Sequence, residues 1–155
     1  MRRIGSILLD VDVAVAEYVA ARIPGISFDR CVGIGVVRDD RFVGGVVFHN
    51  FRGCDVEVVG AFDDPRWALP GTLRALFAYP FVTLGCVRLT AIVQRNNKRA
   101  RRLCIGLGFK LEGVARKAID GKQDAMIYGM LREECRFLRT PHNGQEEHAR
   151  RAACA

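Results

Sequence analysis

Glu57 stands alone among apolar neighbours in the run Asp55-Val56-Glu57-Val58-Val59. An isolated carboxylate in such a strand either faces solvent or, once buried, becomes a proton acceptor. His49, Asp63 and Asp64 are the other acceptors close to it in the chain. Cys104 carries a thiol, whose ordinary pKa of about 8.5 lets it donate a proton near neutral pH. It equally fits a small packing residue in a core. Tyr79 and Tyr128 are more remote donors. These residue types offer general acid–base chemistry.

The stretch from Asn97 to Gly113, NKRARRLCIGLGFKLEG, is the most informative in the chain. Asn97 is a good helix N-cap, and Gly108 a good helix stop. The segment therefore reads as one short helix that turns sharply into a strand. Arg95, Lys98, Arg99, Arg101 and Arg102 would cover its polar face, and Ala100, Leu103 and Leu107 its inner one. A solvated face is the plain reading of those charges. Anionic ligands are the alternative, but no aromatic stacking motif accompanies them, so nucleic acid is not the expected partner.

This stretch resembles the last helix and following strand of the GNAT superfamily of N-acetyltransferases, in which an N-x-x-A…L-G-F…E-G signature is common. The likeness extends more weakly over residues 29–134. It implies a GNAT-like α+β fold: a central, mixed, mostly antiparallel sheet flanked by helices, with one parallel strand pair that splays apart. It also implies acetyl-CoA as cosubstrate, an amine as acceptor, and direct transfer between them. The pantetheine arm would pair with the strand backbone at Val59, Gly60 and Ala61, with Asn97 or Asn96 as a further contact. Glu57 lies close to where some members place a general base. Family members often carry a tyrosine proton donor at the position held here by Cys104. They also carry a Gln/Arg-x-x-Gly-x-Gly/Ala phosphate loop. Here that loop reads Arg66-Trp67-Ala68-Leu69-Pro70-Gly71-Thr72. Arg66 and Gly71 fit, Leu69 replaces the middle glycine, and Pro70 removes one N–H donor. The local alternative is a proline turn that only caps a helix. The order of Tyr79-Pro80-Phe81 and the Asn97 helix resembles the ribosomal-protein alanine N-acetyltransferase branch, which implies a protein N-terminus or a small amine as acceptor. A second function class stays open: a binding module that keeps the fold and coenzyme A but has lost efficient catalysis. The degenerate loop and Cys104 favour it.

The elements that must position these residues follow from periodicity. Apolar residues at Val11, Val15, Tyr18, Val19 and Ile23 predict a helix over 10–23, ended by Pro24-Gly25. Strands are predicted over 30–37, 42–49 and 55–62, joined by short turns into an antiparallel meander. A helix over 72–81, a strand over 87–94, the helix over 97–107 and a hairpin of strands 111–119 and 125–131 complete the order. Strand, crossover helix and strand imply a parallel pair.

The 155 residues suit one domain. That domain is expected over 1–139, with 140–155 as a polar, flexible tail. The net charge of +7 favours anionic partners, including the phosphates of coenzyme A. Six cysteines and three histidines show neither a C-x-x-C pair nor finger spacing, so no metal is expected. The thiols fit a reducing cytoplasm. Asp10 and Asp12 interrupt the apolar N-terminus and argue against a signal peptide. No apolar run is long enough to cross a membrane. A homodimer is left open.

Overall fold

The computed structural model describes residues 1–139; the tail expected over 140–155 lies outside the described residues. The elements are β1 (Arg2–Ile4), β2 (Ile7–Leu9), α1 (Asp12–Ala20), β3 (Cys31–Arg38), β4 (Arg41–His49), β5 (Asp55–Phe62), α2 (Pro70–Ala78), β6 (Arg88–Gln94), α3 (Lys98–Leu107), β7 (Lys110–Ile119) and β8 (Gln123–Leu131). Among the described residues the strands form one 8-stranded sheet in the order β1-β2-β3-β4-β5-β6-β8-β7. All neighbours are antiparallel except β5 and β6. The expected mixed sheet with one parallel pair is therefore present.

Two differences from the sequence reading have local causes. The hairpin β1–β2 was not expected. Its strands have only 3 residues each, too few to show a period of two, and Gly5 at φ 59° makes the turn between them. The helix expected over 72–81 ends earlier. Pro80 has no N–H to continue the helical ladder, so the chain widens into a π-type turn over Tyr79–Thr83, with Leu84 N–H donating to Tyr79 O at 2.9 Å.

The sheet has two differently covered faces. On one, α1 buries Val15 and Val19 completely against Val47. Each such valine contributes roughly 1.5–3 kcal/mol of burial. The approach is close because Gly33 and Gly45 lie beneath Val15: a Cβ on either would stand 2.8 Å from the Val15 side chain. Asp12 Oδ1 fastens the start of α1 by accepting from Gly33 N–H at 2.9 Å. On the other face lies the main core, where Leu73, Leu76 and Phe77 of α2 and Cys104 of α3 pack with Val56, Leu89, Ala91 and Tyr128.

Helix α3 closes as its sequence predicts. Asn97 Oδ1 accepts from Ala100 N–H at 3.0 Å. Gly108 takes φ 104°, and Phe109 N–H donates back to Cys104 O at 3.0 Å.

The glycine platform is testable. In Gly45→Ala the new methyl would lie 2.6 Å from Ile34 O and 2.8 Å from Val15 Cγ1. Urea unfolding should show a loss of about 1–3 kcal/mol, typical of overpacking. A stability equal to the unmodified protein would show that α1 moves away at no cost.

Candidate active site

Strands β5 and β6 run together for a short distance and then part. Their register covers Asp55↔Arg88, Val56↔Leu89 and Glu57↔Thr90. Beyond that rung β5 continues with β4 through Phe62, and β6 continues with β8 through Gln94. From Val58 onward, the backbone groups of β5 that point toward β6 have no partner strand among the described residues. A V-shaped gap results, with its vertex at Glu57 and Thr90. Val59, Gly60 and Ala61 line its β5 edge. Gly60 is exposed, and Ala91 to Gln94 form the facing edge.

The vertex is held by a chain of polar contacts. Asp55, only 9% exposed, accepts from Arg52 Nη2 at 2.6 Å and from Thr90 Oγ1 at 2.9 Å. Arg88 Nε donates to Thr90 Oγ1 at 3.0 Å, and its guanidinium pairs with Glu112. Arg52 Nη1 also reaches Glu57 Oε1 at 3.1 Å, and Asn50 Nδ2 reaches Glu57 Oε2 at 3.2 Å. None of Asn50, Arg52, Asp55 and Thr90 stood out in the sequence. The turn between β4 and β5 is the one local signal that would have paired residue 49 with residue 57.

Glu57 is largely enclosed, its side chain 13% exposed. It shares a face with Val59 and Ala61, which pack toward α1. His49 sits beside it in register. The imidazole packs edge-to-face on Phe28 at 5.1 Å. Burial pushes the His49 pKa down; the Glu57 charge opposes this, and Arg52 adds to it.

The two aspartates after β5 are committed elsewhere. Asp63 is held below the usual carboxylate range by Arg22, which forks onto both its oxygens at 3.1 and 2.9 Å. Asp64 is pulled down to about 2 by the side chain and backbone N–H of Arg66. Neither is a base at neutral pH, which removes them as alternatives to Glu57 and His49.

Arg66 lies in this loop, ion-paired to Asp64 at 2.6 Å and to Asp39 at 3.5 Å. Trp67 stacks on Phe62 at 3.7 Å and clamps the loop onto the end of β5. Pro70 opens α2, so Gly71 and Thr72 carry the orphan N–H groups of its first turn. The Thr72 hydroxyl is turned inward, 2.6 Å from Ser6 Oγ. Gly71 is exposed and has nothing within 4 Å of a notional Cβ, so a side chain there would meet open space.

Cys104 lies on the opposite face from Glu57, within the main core at 8% exposure. Burial pushes its thiol up to about 11. Tyr128 is fully buried, and its hydroxyl accepts from Arg101 Nε at 3.3 Å. Tyr79 packs on Phe48 at 5.0 Å, with its pKa raised by burial. Asn97 uses its Oδ1 for the helix cap, and Asn96 Nδ2 reaches Gln123 Oε1 at 3.3 Å.

No family model and no curated protein matches this sequence. Solved structures do. The ribosomal-protein-S5-alanine acetyltransferase from Vibrio fischeri aligns with TM-score 0.62 at 16% identity, over 84% of this chain and 94% of that one. A GNAT-family acetyltransferase from Bacillus anthracis aligns with TM-score 0.55 at 23% identity, over 67% of each chain. The Campylobacter jejuni N-acetyltransferase PseH, in complex with acetyl coenzyme A, aligns with TM-score 0.52 at 17% identity, over 66% of this chain and 68% of that one. Against an acetyltransferase structure from T. thermophilus the match reaches 24% identity and TM-score 0.58 but spans only 63% of that chain. These structural matches show that this chain, with its single parallel strand pair, has the fold of the GNAT N-acetyltransferases.

Proposed function

We propose that this protein transfers an acetyl group from acetyl-CoA to a primary amine by direct attack. The parted β5–β6 pair is the observation that carries the reading. An open strand edge at Val59 to Ala61 satisfies the amides of an extended pantetheine, as an added strand would. The gap leads from the vertex to the loop before α2, where the exposed Gly71 N–H and the helix dipole suit a pyrophosphate. The neighbour from Campylobacter jejuni was solved with acetyl coenzyme A, which supports the same cosubstrate here. A protein N-terminus is the acceptor class suggested by the ribosomal-protein-S5-alanine acetyltransferase, and a polyamine by a solved spermidine/spermine N-acetyltransferase from Vibrio cholerae. We also propose a cytoplasmic setting, supported by the free thiols of Cys31, Cys54, Cys86, Cys104 and Cys135.

The bound acetyl-CoA would present its thioester to residues of the chain. At the vertex, Glu57 and His49 are positioned to receive the amine and its proton. On the far side, Cys104 is a poor source of the proton for the departing thiolate. Its thiol, near 11, would have to give a proton to a thiolate of ordinary basicity, uphill by roughly 3 kcal/mol. Water is the better donor, and Cys104 serves packing.

Two variants test this reading. Gly71→Leu places a side chain beside the exposed Gly71 N–H and should weaken acetyl-CoA binding at least ten-fold by calorimetry, with the fold retained. If the unmodified protein gives no heat with acetyl-CoA, the function is wrong. Cys104→Ala should cost about 1 kcal/mol of stability or somewhat more and keep turnover within several-fold. A well-folded Cys104→Ala protein without turnover, together with an acetyl adduct on the unmodified chain by intact mass spectrometry, would replace direct transfer by a covalent route.

A further inference from the structure

The vertex rung holds two candidate bases rather than one. Cys31, His49, Glu57 and Thr90 stand in register across β3, β4, β5 and β6, on the face that α1 covers. His49 Nε2 and Glu57 Oε2 face each other at 3.9 Å. That is too far for a direct hydrogen bond. It is right for one nitrogen held by both, each at about 2.9 Å.

We propose that His49 is the general base and that Glu57 is its anionic partner, the two clamping the acceptor nitrogen between them. The inference rests on the acetyltransferase reading above.

The hydrogen bonds divide the labour. Both Glu57 oxygens already accept, Oε1 from Arg52 and Oε2 from Asn50. Each oxygen keeps a second lone pair, so Glu57 can take one more N–H, that of the acceptor nitrogen, without losing these donors. His49 has no hydrogen bond at either ring nitrogen among the described residues, and Phe28 fixes its ring plane. Its side chain is 15% exposed, so it is sheltered yet reachable. Burial holds it neutral, the form able to accept a proton. The titratable and charged groups around it are Cys31 across on β3, Glu57 on β5 and Arg52 in the β4–β5 loop. Cys31 is itself held in the thiol form by burial and by Asp12.

The step balances. The neutral amine attacks the thioester carbonyl, and the C–N bond forms. His49 Nε2 takes a proton from the nitrogen, and Glu57 stabilises the imidazolium. The C–S bond breaks, and the imidazolium returns its proton through water to the departing thiolate. The clamp uses two N–H groups of the nucleophile, which selects primary amines over secondary ones.

Kinetics with acetyl-CoA, using spermidine and an alanine-initiated peptide as acceptors, test the assignment. His49→Gln, with His49→Asn beside it as a fold control, should keep acetyl-CoA affinity by calorimetry. It should lose roughly 10²–10⁴-fold in kcat and lose the acidic limb of the pH profile. Glu57→Gln should raise KM for the amine. It should also move that limb to lower pH, because the carboxylate that favours the imidazolium is gone. An NMR titration of the His49 ring in the protein alone gives a reading independent of turnover: its midpoint should fall in Glu57→Gln. Wild-type turnover and an intact limb in His49→Gln would overturn the proposal while leaving acetyl-CoA binding in place. So would a His49 midpoint indifferent to Glu57→Gln. Absence of acetyl-CoA binding in the unmodified protein would sink the underlying function instead.

Discussion

The site depends on one short stretch of parallel pairing that is fastened at one end and free at the other. Asp55 is the fastener. Its carboxylate accepts from Thr90 across the strand pair and from Arg52 in the preceding loop, and Arg88 stands 3.8 Å away. A carboxylate this enclosed is stable only with such partners. Those partners come from both strands, so satisfying the charge means holding β5 and β6 together at that point. Beyond Glu57 and Thr90 no comparable tie exists among the described residues. Each strand then follows its antiparallel neighbour, β5 along β4 and β6 along β8. The gap is the geometric result of two stronger ladders diverging from a pinned origin.

The pin also joins the two faces of the sheet. The polar rung with His49 and Glu57 belongs to the α1 face, whose small core rests on Val15, Val19 and Val47. The proposed anion-binding end belongs to α2, which packs into the main core on the other face. A ligand lying in the gap between β5 and β6 meets both without crossing either hydrophobic layer. Arg22 of the chain just beyond α1 reaches over to Asp63 at the end of β5, and its guanidinium lies 3.4 Å from the centre of the Tyr18 ring. The covering helix and the phosphate loop are therefore tied to each other as well as to the sheet.

What the sequence made legible was what is local. Strand β5 could be bounded correctly because Asp55 to Phe62 is flanked by a turn and a polar loop. Helix α3 could be bounded because its cap and its stop are written in single residues, Asn97 and Gly108. The parallel pair followed from chain order, but its parting did not. Divergence is decided by which neighbour each strand prefers, and that is a long-range property; the expectation came from family likeness. Asp55 and Thr90 lie 35 residues apart, so no spacing rule joins them. Phe28 and His49 meet only because β3 and β4 bring the preceding loop over the rung. The hairpin β1–β2 was hidden for the opposite reason, since its signal is local but only 3 residues long on each side.

Electrostatics sharpen the division of roles at the phosphate end. Two aspartates, Asp63 and Asp64, sit at the mouth of the gap, where bare carboxylates would repel a pyrophosphate. Each is answered by its own arginine, Arg22 for the first and Arg66 for the second. Arg66 would therefore not meet a phosphate as an independent cation while these pairs hold. Turning it toward the ligand would uncover Asp64, and the gain of one contact would be offset by a new repulsion. In the proposed reading the attraction would come instead from a group that needs no counter-ion, the exposed Gly71 N–H at the start of α2, reinforced by the helix dipole. On this view, Pro70 removes the donor of a residue whose N–H would have been an orphan in any case, and Leu69 contributes only its backbone. The departures from the family's glycine-rich loop therefore leave intact the backbone donor that the proposed pyrophosphate site would use.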